Sequence, residues 1–216
     1  MGLERSKVVA AALRLLDDEG LDGLTTRRLA KDLGVQGPAL YWHFENKRAL
    51  TDAMVYALLD DALASAPLET DWAMQLAAEG RRLRQALLSH RDGARLFAGY
   101  RPNAPEGRFI AGPPDEPGQE TADAAEIRAN AHLSDVLRLL LDAGFGDAQA
   151  FSAFLTINRF SFGWAMDEQA GMAQPSQYYP LPDSGDRFEF GLSTIVYGLK
   201  AQLEASKAGR PLPTVA

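Results

Sequence analysis

The stretch from Thr25 to Phe44 leaves the backbone few options. Thr25 can cap a helix start, Leu29 and Leu33 lie four apart, and Gly34 can close a helix end, so the spacing predicts a helix over Thr26–Leu33. After Val35-Gln36, the pair Gly37-Pro38 suits a second start, because proline at the first helical position loses no hydrogen bond and brings its φ already set. That predicts a helix of about two turns over Pro38–Phe44. A short helix needs a support to stand on. Arg5–Glu19 offers one, with Val8, Ala12, Leu15 and Leu16 on one face and Gly20 as its stop. Leu29, Leu33, Val35 and Leu40 can then bury against Leu13, Leu16, Leu21 and Leu24. The expected product is a three-helix head containing a helix-turn-helix.

The rest of the chain continues in helices. Asn46 should cap a fourth over Lys47–Leu63, with Leu50, Met54, Ala57, Leu58 and Asp61 marking its faces. Longer ones are expected near Asp71–Ser89, Asp92–Tyr100, Ala122–Ala143, Ala148–Gln169 and Arg187–Ser206. Alanine (35) and leucine (30) far outnumber valine (7) and isoleucine (4), which favours helix over sheet. The fold class is therefore all-α: a helix-turn-helix domain over 1–46, a connecting helix over 47–66, and a helical body over 67–216. Two segments interrupt the helices, 103–119 with four prolines and three glycines, and 171–185 with three prolines and two glycines. Each reads as an irregular connection, either a surface loop or a lid over a ligand.

Charge is unevenly placed. The net charge is -7, but residues 1–50 carry 8 basic and 7 acidic groups, and 24–48 carry 5 basic against 2 acidic. A small basic head on an acidic body can bind DNA through the head alone. No cysteine is present, which excludes disulfides, thiol nucleophiles and Cys-ligated metals. The N-terminus does not read as a signal peptide, and no stretch reaches the roughly 18 apolar residues of a membrane span. A cytoplasmic protein without a membrane partner is expected.

With the head assembled, Gln36, Gly37, Ala39, Tyr41, Trp42 and His43 project from the third helix. Tyr41 can donate to a phosphate, and His43 and Lys47 can neutralise one. The starts of the second and fourth helices, at Thr26 and Lys47, present free N–H groups to anions. Arg27 and Gln36 can hydrogen-bond base edges, while Ala39 can only touch a thymine methyl. The alternative is that Tyr41–Phe44 is ordinary packing material and the basic residues are a solvated face.

The stretches GLTTRRLAKDLGVQGPALYWHFENKRAL (23–50), ALLSHRDGARLFAGYRP (86–102), RFSFGWAMDEQ (159–169) and FGLSTIVYGLKAQL (190–203) resemble the TetR family, in its tetracycline repressor-like branch. The resemblance implies a homodimeric repressor that binds double-stranded operator DNA and is released by a small-molecule effector. It implies Arg27 as the base reader of the second helix, and Tyr41, Trp42, His43 and Lys47 as operator contacts. Around Pro38 this chain departs from the drug-resistance repressors. Gly37 and Ala39 stand where those have glutamine and threonine, which implies a different operator. The effector positions depart as well. Where tetracycline repressors grip the drug and its magnesium with two histidines, an asparagine and a phenylalanine, the matching positions are Leu63, Phe97, Glu79 and Leu83. With no imidazole at Phe97 there is no ligand for a drug-bound metal, and no cofactor is expected. The implied pocket takes a largely apolar, aromatic molecule, with Glu79, Arg101 and Asn158 orienting it and Phe154 beside them. Effector beneath the fourth helix would shift the sixth around Gly99–Pro102 and swing Lys47–Leu63.

Dimerisation also has an argument of its own. Phe151, Phe154, Leu155, Phe162 and Met166 on one late helix, with Leu192, Ile195, Val196 and Leu199 on the next, give more apolar surface than one small body needs. Gly163, Gly191 and Gly198 allow close approach. Two such helices from each subunit make a four-helix bundle, and two heads about 34 Å apart read a palindrome. Packing within one subunit is the alternative. An enzyme finds little support: His43, His90 and His132 have no metal-ligand spacing, and no GxSxG, P-loop or GxGxxG motif occurs. His90 in SHRDG reads as a helix-end residue, whereas His132 could face a pocket or solvent. A ligand-binding adaptor whose head lacks DNA affinity is the remaining alternative, given Gly37 and Ala39.

Overall fold

The computed structural model describes residues 4–60, 62, 67–100, 124–172 and 182–210. Leu63, Arg101, all of 103–119 and most of 171–185 lie outside them. Among the described residues the chain forms α1 (Arg5–Gly23), α2 (Thr26–Asp32), α3 (Gly37–Tyr41), α4 (Lys47–Leu59), α5 (Trp72–Leu88), α6 (Gly93–Gly99), α7 (Ala124–Asp142), α8 (Asp147–Gln169) and α9 (Ser184–Lys207), with no strand.

The chain divides into two compact units, Met1–Ser65 with Ala86–Ala131, and Ala66–Gln85 with His132–Ala216. The division falls inside α5 and α7.

In the first unit the local signals act as their chemistry requires. The Thr25 hydroxyl accepts from the Arg28 N–H (3.2 Å), the Asn46 side chain accepts from the Ala49 N–H (2.9 Å), and Pro38 sits in the first turn of α3. Gly34 takes φ +66 to end the α2 corner, a conformation that costs glycine nothing. Gly20 breaks the first helix as expected, leaving helical geometry at φ +75 and ψ 176; the turn from there to Gly23 is a second short piece beyond the kink. Val8, Ala12, Leu15 and Leu16 of α1 pack with Leu29, Leu40, Leu50, Met54 and Leu58, and with Leu96 of α6, all buried. Leu13, Leu21, Leu33 and Val35 close the edges of that core.

The SHRDG turn, residues 89–93, is fastened to the end of α1. His90 Nδ1 lies 2.8 Å from Asp17 Oδ2, and the Arg91 N–H donates to Asp17 Oδ1 (2.9 Å). The Leu21 N–H donates to Asp92 Oδ2 (2.8 Å), and Arg95 pairs with Asp22 and Asp92, each at 3.2 Å. The Leu21 N–H holds the Asp92 carboxyl below its ordinary value, with Arg95 helping and burial opposing. A depressed folded-state value means that this stabilisation is present above the unfolded carboxylate value of about 3.9 and is lost as pH falls through the folded one. The stability difference between wild type and Asp92→Asn, measured by urea unfolding, should be constant from pH 7 to about pH 5 and shrink below that. A difference unchanged at pH 3 would contradict the assignment.

The second unit is built on Leu76 of α5, Val136, Leu137 and Leu140 of α7, Ala150, Ala153 and Ile157 of α8, and Phe188, Leu192 and Val196 of α9. Trp72 meets Phe145 edge-on, and Phe160 stacks on Phe188 at 5.4 Å between centroids. A methyl group at Gly191 would strike the Phe160 ring at 2.5 Å, so glycine there is a packing requirement. Arg84 grips Glu168 with two hydrogen bonds, 2.8 and 2.6 Å, while its guanidinium lies 4.9 Å from the Phe188 ring centroid.

Candidate functional site

The outer face of the head follows from the burial of its inner face. Leu40 is the buried anchor of α3, and Phe44, just past its end, is buried with it. That leaves Trp42 at 87 % exposure and Tyr41 at 55 %, large apolar area standing in solvent where nothing in the unit needs it. Arg27, Gln36, Pro38 and Lys47 are also exposed, while Thr26, Gly37, Ala39 and His43 are half-buried. A shallow basin at the start of α2 is lined by Thr25, Arg27, Arg28 and Lys31. Arg28 is tied to Glu19 at 2.6 Å; Arg27 makes no ion pair among the described residues.

One residue of this site gave no sequence signal. Arg5, the first residue of α1, donates from Nη1 to the His43 carbonyl and lays its guanidinium 4.2 Å over the Phe44 ring. It clamps the chain directly after the exposed aromatics.

Of the expected ligand-binding residues that are described, Phe97 belongs to the first unit and Glu79, Leu83, Phe154 and Asn158 to the second. In the first, Phe97 is half-buried against the core, its ring tilted on Tyr100 at 6.0 Å. A phenyl ring in that setting has no lone pair for a metal, so the residues present do not fit a magnesium-bound ligand at this position. In the second, Glu79 and Leu83 are buried one turn apart on α5. Phe154 and Asn158 are half-buried one turn apart on α8, with Asn158 Nδ2 donating to the Phe154 carbonyl at 2.8 Å. Half of the Asn158 amide is thereby already engaged. His132, whose direction the sequence left open, is buried with Nε2 at 2.8 Å from Glu79 Oε1.

The expected dimerisation set needs a correction. Leu192 and Val196 are 1 % and 8 % exposed and belong to the core of their own unit. They lie on the α9 stripe that includes Phe188, and that stripe turns inward. Phe151, Phe162, Ile195 and Leu199 are half-buried, and Leu155 is exposed. The opposite side of α9 carries Phe190 at 75 % and Tyr197 at 72 % exposure, two residues that counting apolar positions overlooked. Between α8 and α9 runs an open groove of about 430 Å³, its lining including Ala148, Ser152, Thr156, Ile195, Gly198 and Leu199. Gly163 and Gly198 face open space.

Residues 8–54 match the family described as bacterial regulatory proteins, tetR family, and residues 66–108 and 128–180 match the tetracyclin repressor-like C-terminal domain. The chain is 46 % identical over 220 residues to the tetracycline repressor protein class A from transposon 1721 of Escherichia coli, covering 91 % of this chain and 90 % of that one. Among solved structures it is similar to a TetR variant from Acinetobacter baumannii in complex with minocycline, at 35 % identity and a TM-score of 0.71, covering 93 % and 98 % of the two chains. It is also similar to BioQ bound to its natural double-stranded DNA operator, at 32 % identity and a TM-score of 0.65, covering 92 % and 99 %.

Proposed function

From the premise that this chain belongs to the tetR family and is a ligand-responsive DNA-binding repressor, we propose that it binds a palindromic operator as a homodimer and leaves it when a largely apolar small molecule binds. The observation that carries the DNA contact is the exposure of Tyr41 and Trp42 on a helix whose other side is locked into the core. In this reading residues 1–46 are the head, 47–66 the connection and 67–216 the sensing body. Arg27 and Gln36 meet base edges, Tyr41, His43 and Lys47 meet phosphates, and Trp42 packs against the backbone between them. The operator differs from those of the drug-resistance repressors because Gly37 and Ala39 bring no hydrogen-bonding side chain to the bases.

The dimer rests on the α8–α9 face, where Phe190, Tyr197 and Leu155 leave apolar area in water beside two open glycines. A second copy would cover it. Coupling between effector and head has a physical basis inside the first unit. Leu96 of α6 shares one core with α1 and α4, and the 90–95 segment holds the end of α1 through His90, Arg91, Asp92 and Arg95. A shift of α6 on ligand binding would therefore be carried to the head, at the 1 to 3 kcal/mol typical of allosteric coupling. No catalytic step is assigned. No helix among the described residues is long and apolar enough to cross a membrane, and a regulator of this kind acts where the DNA is, in the cytoplasm.

Phe97 and Leu63 stand in place of imidazoles, so the effector is not a magnesium–tetracycline complex. Isothermal titration with tetracycline and magnesium should show no binding tighter than about 100 μM, an affinity near 5.5 kcal/mol; micromolar binding would refute this choice of effector. DNA selection from a random pool should enrich one palindrome. An adaptor without DNA affinity would enrich none.

A further inference from the structure

Residues 42–46 join α3 to α4, and the DNA contacts proposed above crowd around them: Tyr41 just before, Trp42 and His43 within, Lys47 just after. Side chains carried on an unfixed turn must be ordered when a partner binds, at a cost to affinity. At its start the turn is held locally, by the His43 and Phe44 N–H groups, which both donate to the Leu40 carbonyl at 3.0 Å. At its end the Asn46 side chain accepts from the Ala49 N–H at 2.9 Å. Each of these ties spans only a few residues, so neither fixes the direction in which the turn stands on the rest of the head.

Arg5 supplies a tie from elsewhere, 38 residues away in sequence. It is the first residue of α1, and Val8, Val9, Ala11 and Ala12 on the turns behind it are buried in the core of the head, so its backbone has a fixed base. Nη1 donates to the His43 carbonyl, which lies beyond the end of α3, where carbonyls lack an intrahelical partner. The same guanidinium lies 4.2 Å over the ring of Phe44, which is itself buried. One side chain thus grips the turn twice, on the backbone of one residue and on the ring of the next. A planar, forked cation does both at once, whereas an ammonium is a point charge that satisfies one partner at a time. Resting on the DNA contact proposed for α3, we propose that Arg5 is a positioning residue for operator binding, acting through the His43 carbonyl and the Phe44 ring to set the direction of Trp42 and His43 without itself touching the DNA. The grip orders the turn before DNA arrives, so binding need not order it.

The experiment uses the full-length protein, wild type, Arg5→Lys and Arg5→Gln, with a labelled duplex carrying the palindrome that wild type selects, titrated by fluorescence anisotropy over a range of salt. Both variants should bind about tenfold more weakly than wild type, with the slope of log affinity against log salt unchanged, because no phosphate contact is lost. Their His43 and Phe44 amides should exchange hydrogen at least about tenfold faster, while the Leu29 amide, bonded to the Thr25 carbonyl at 2.9 Å, keeps its rate. Their melting temperatures should stay within about 3 °C of wild type. Full affinity in Arg5→Lys, with a slope lower by about one in Arg5→Gln, would make Arg5 a direct phosphate contact and overturn the proposal. A larger drop in melting temperature, with faster exchange at Leu29 as well, would make it a general support of the fold and overturn it too. Unchanged binding in both variants would refute this inference and leave the contacts of Tyr41 and Trp42 standing. Failure of wild type to select any palindrome would overturn both.

Discussion

A protein carrying both Tyr41→Ala and Trp42→Ala should bind its selected palindrome on the order of a hundredfold more weakly than wild type, a loss of about 3 kcal/mol. It should unfold at the same temperature. The two expectations belong together because the exposure that makes these side chains available to DNA also makes them unimportant to the core. Trp42 is 87 % and Tyr41 55 % exposed, and substitutions at such surface positions move stability by about 0.5 kcal/mol or less. The helix itself should survive. Leu40 anchors it, the Phe44 N–H donates to the Leu40 carbonyl at 3.0 Å, and Arg5 holds the His43 carbonyl from outside the turn. Salt titration separates these contacts from the charged ones. Loss of aromatic contacts leaves the slope of log affinity against log salt unchanged, whereas Lys47→Ala, which removes a phosphate contact, lowers it by about one. Undiminished DNA binding by the double variant would remove the exposed aromatics from the interface.

How much of this protein is legible in its sequence depends on the range of the interaction involved. The caps at Thr25 and Asn46 and the turn at Gly34 are legible because donor, acceptor and backbone strain all lie within three residues. The head's core is legible because short helices with four-residue apolar spacing can meet in few ways. Gly20 is legible as a stop, and its positive φ does break the helix; the short turn that follows to Gly23 is not legible, since glycine marks a break without deciding the conformation of the residues after it. On α9 the sequence shows plentiful apolar residues but not which side each takes. Leu192 and Val196 turn inward and Phe190 and Tyr197 outward, a distinction made by packing against α8 and α5. The Glu79–His132 contact joins residues 53 apart and His90–Asp17 joins residues 73 apart. Nothing local announces either pair.

The SHRDG segment shows how a motif with no chemistry of its own can still bear on function. His90, Arg91 and Asp92 are spent on Asp17, Asp18 and Leu21 of α1, so none is offered to a ligand or to DNA. Their effect is mechanical: the start of α6 cannot move without loosening the end of α1 or carrying it along. A repressor of this kind needs such stiffness, because a ligand changes operator affinity only through an element with two distinct placements that both sites sense.

That stiffness depends on how tightly the chain reverses between α5 and α6, and Gly93 sets the limit. Asp92 already occupies the left-handed region at φ 56, which aspartate tolerates better than most residues. The Gly93 N–H then donates to the His90 carbonyl at 3.1 Å. A methyl group on Gly93 would overlap the Leu87 carbonyl oxygen and come within 3.2 Å of its carbon. Both are backbone atoms in the last turn of α5, so no side chain can rotate aside to make room. Relief requires α6 to lift away, which breaks the Asp92–Leu21 bond and withdraws Leu96 from the core. Gly93→Ala should therefore destabilise the protein by about 3 kcal/mol or more, lowering the melting temperature by roughly 6 to 12 °C for a chain of this size. Gly99, at the far end of the same helix, has open space around its Cα. Gly99→Ala is the matched control and should leave the melting temperature unchanged or slightly raised, because alanine narrows the unfolded ensemble. Circular dichroism melts of the two variants decide the matter. If Gly93→Ala melts within about a degree of Gly99→Ala, far short of the drop expected of a core-level clash, the corner is more yielding than its geometry implies and cannot be what ties α6 to the head.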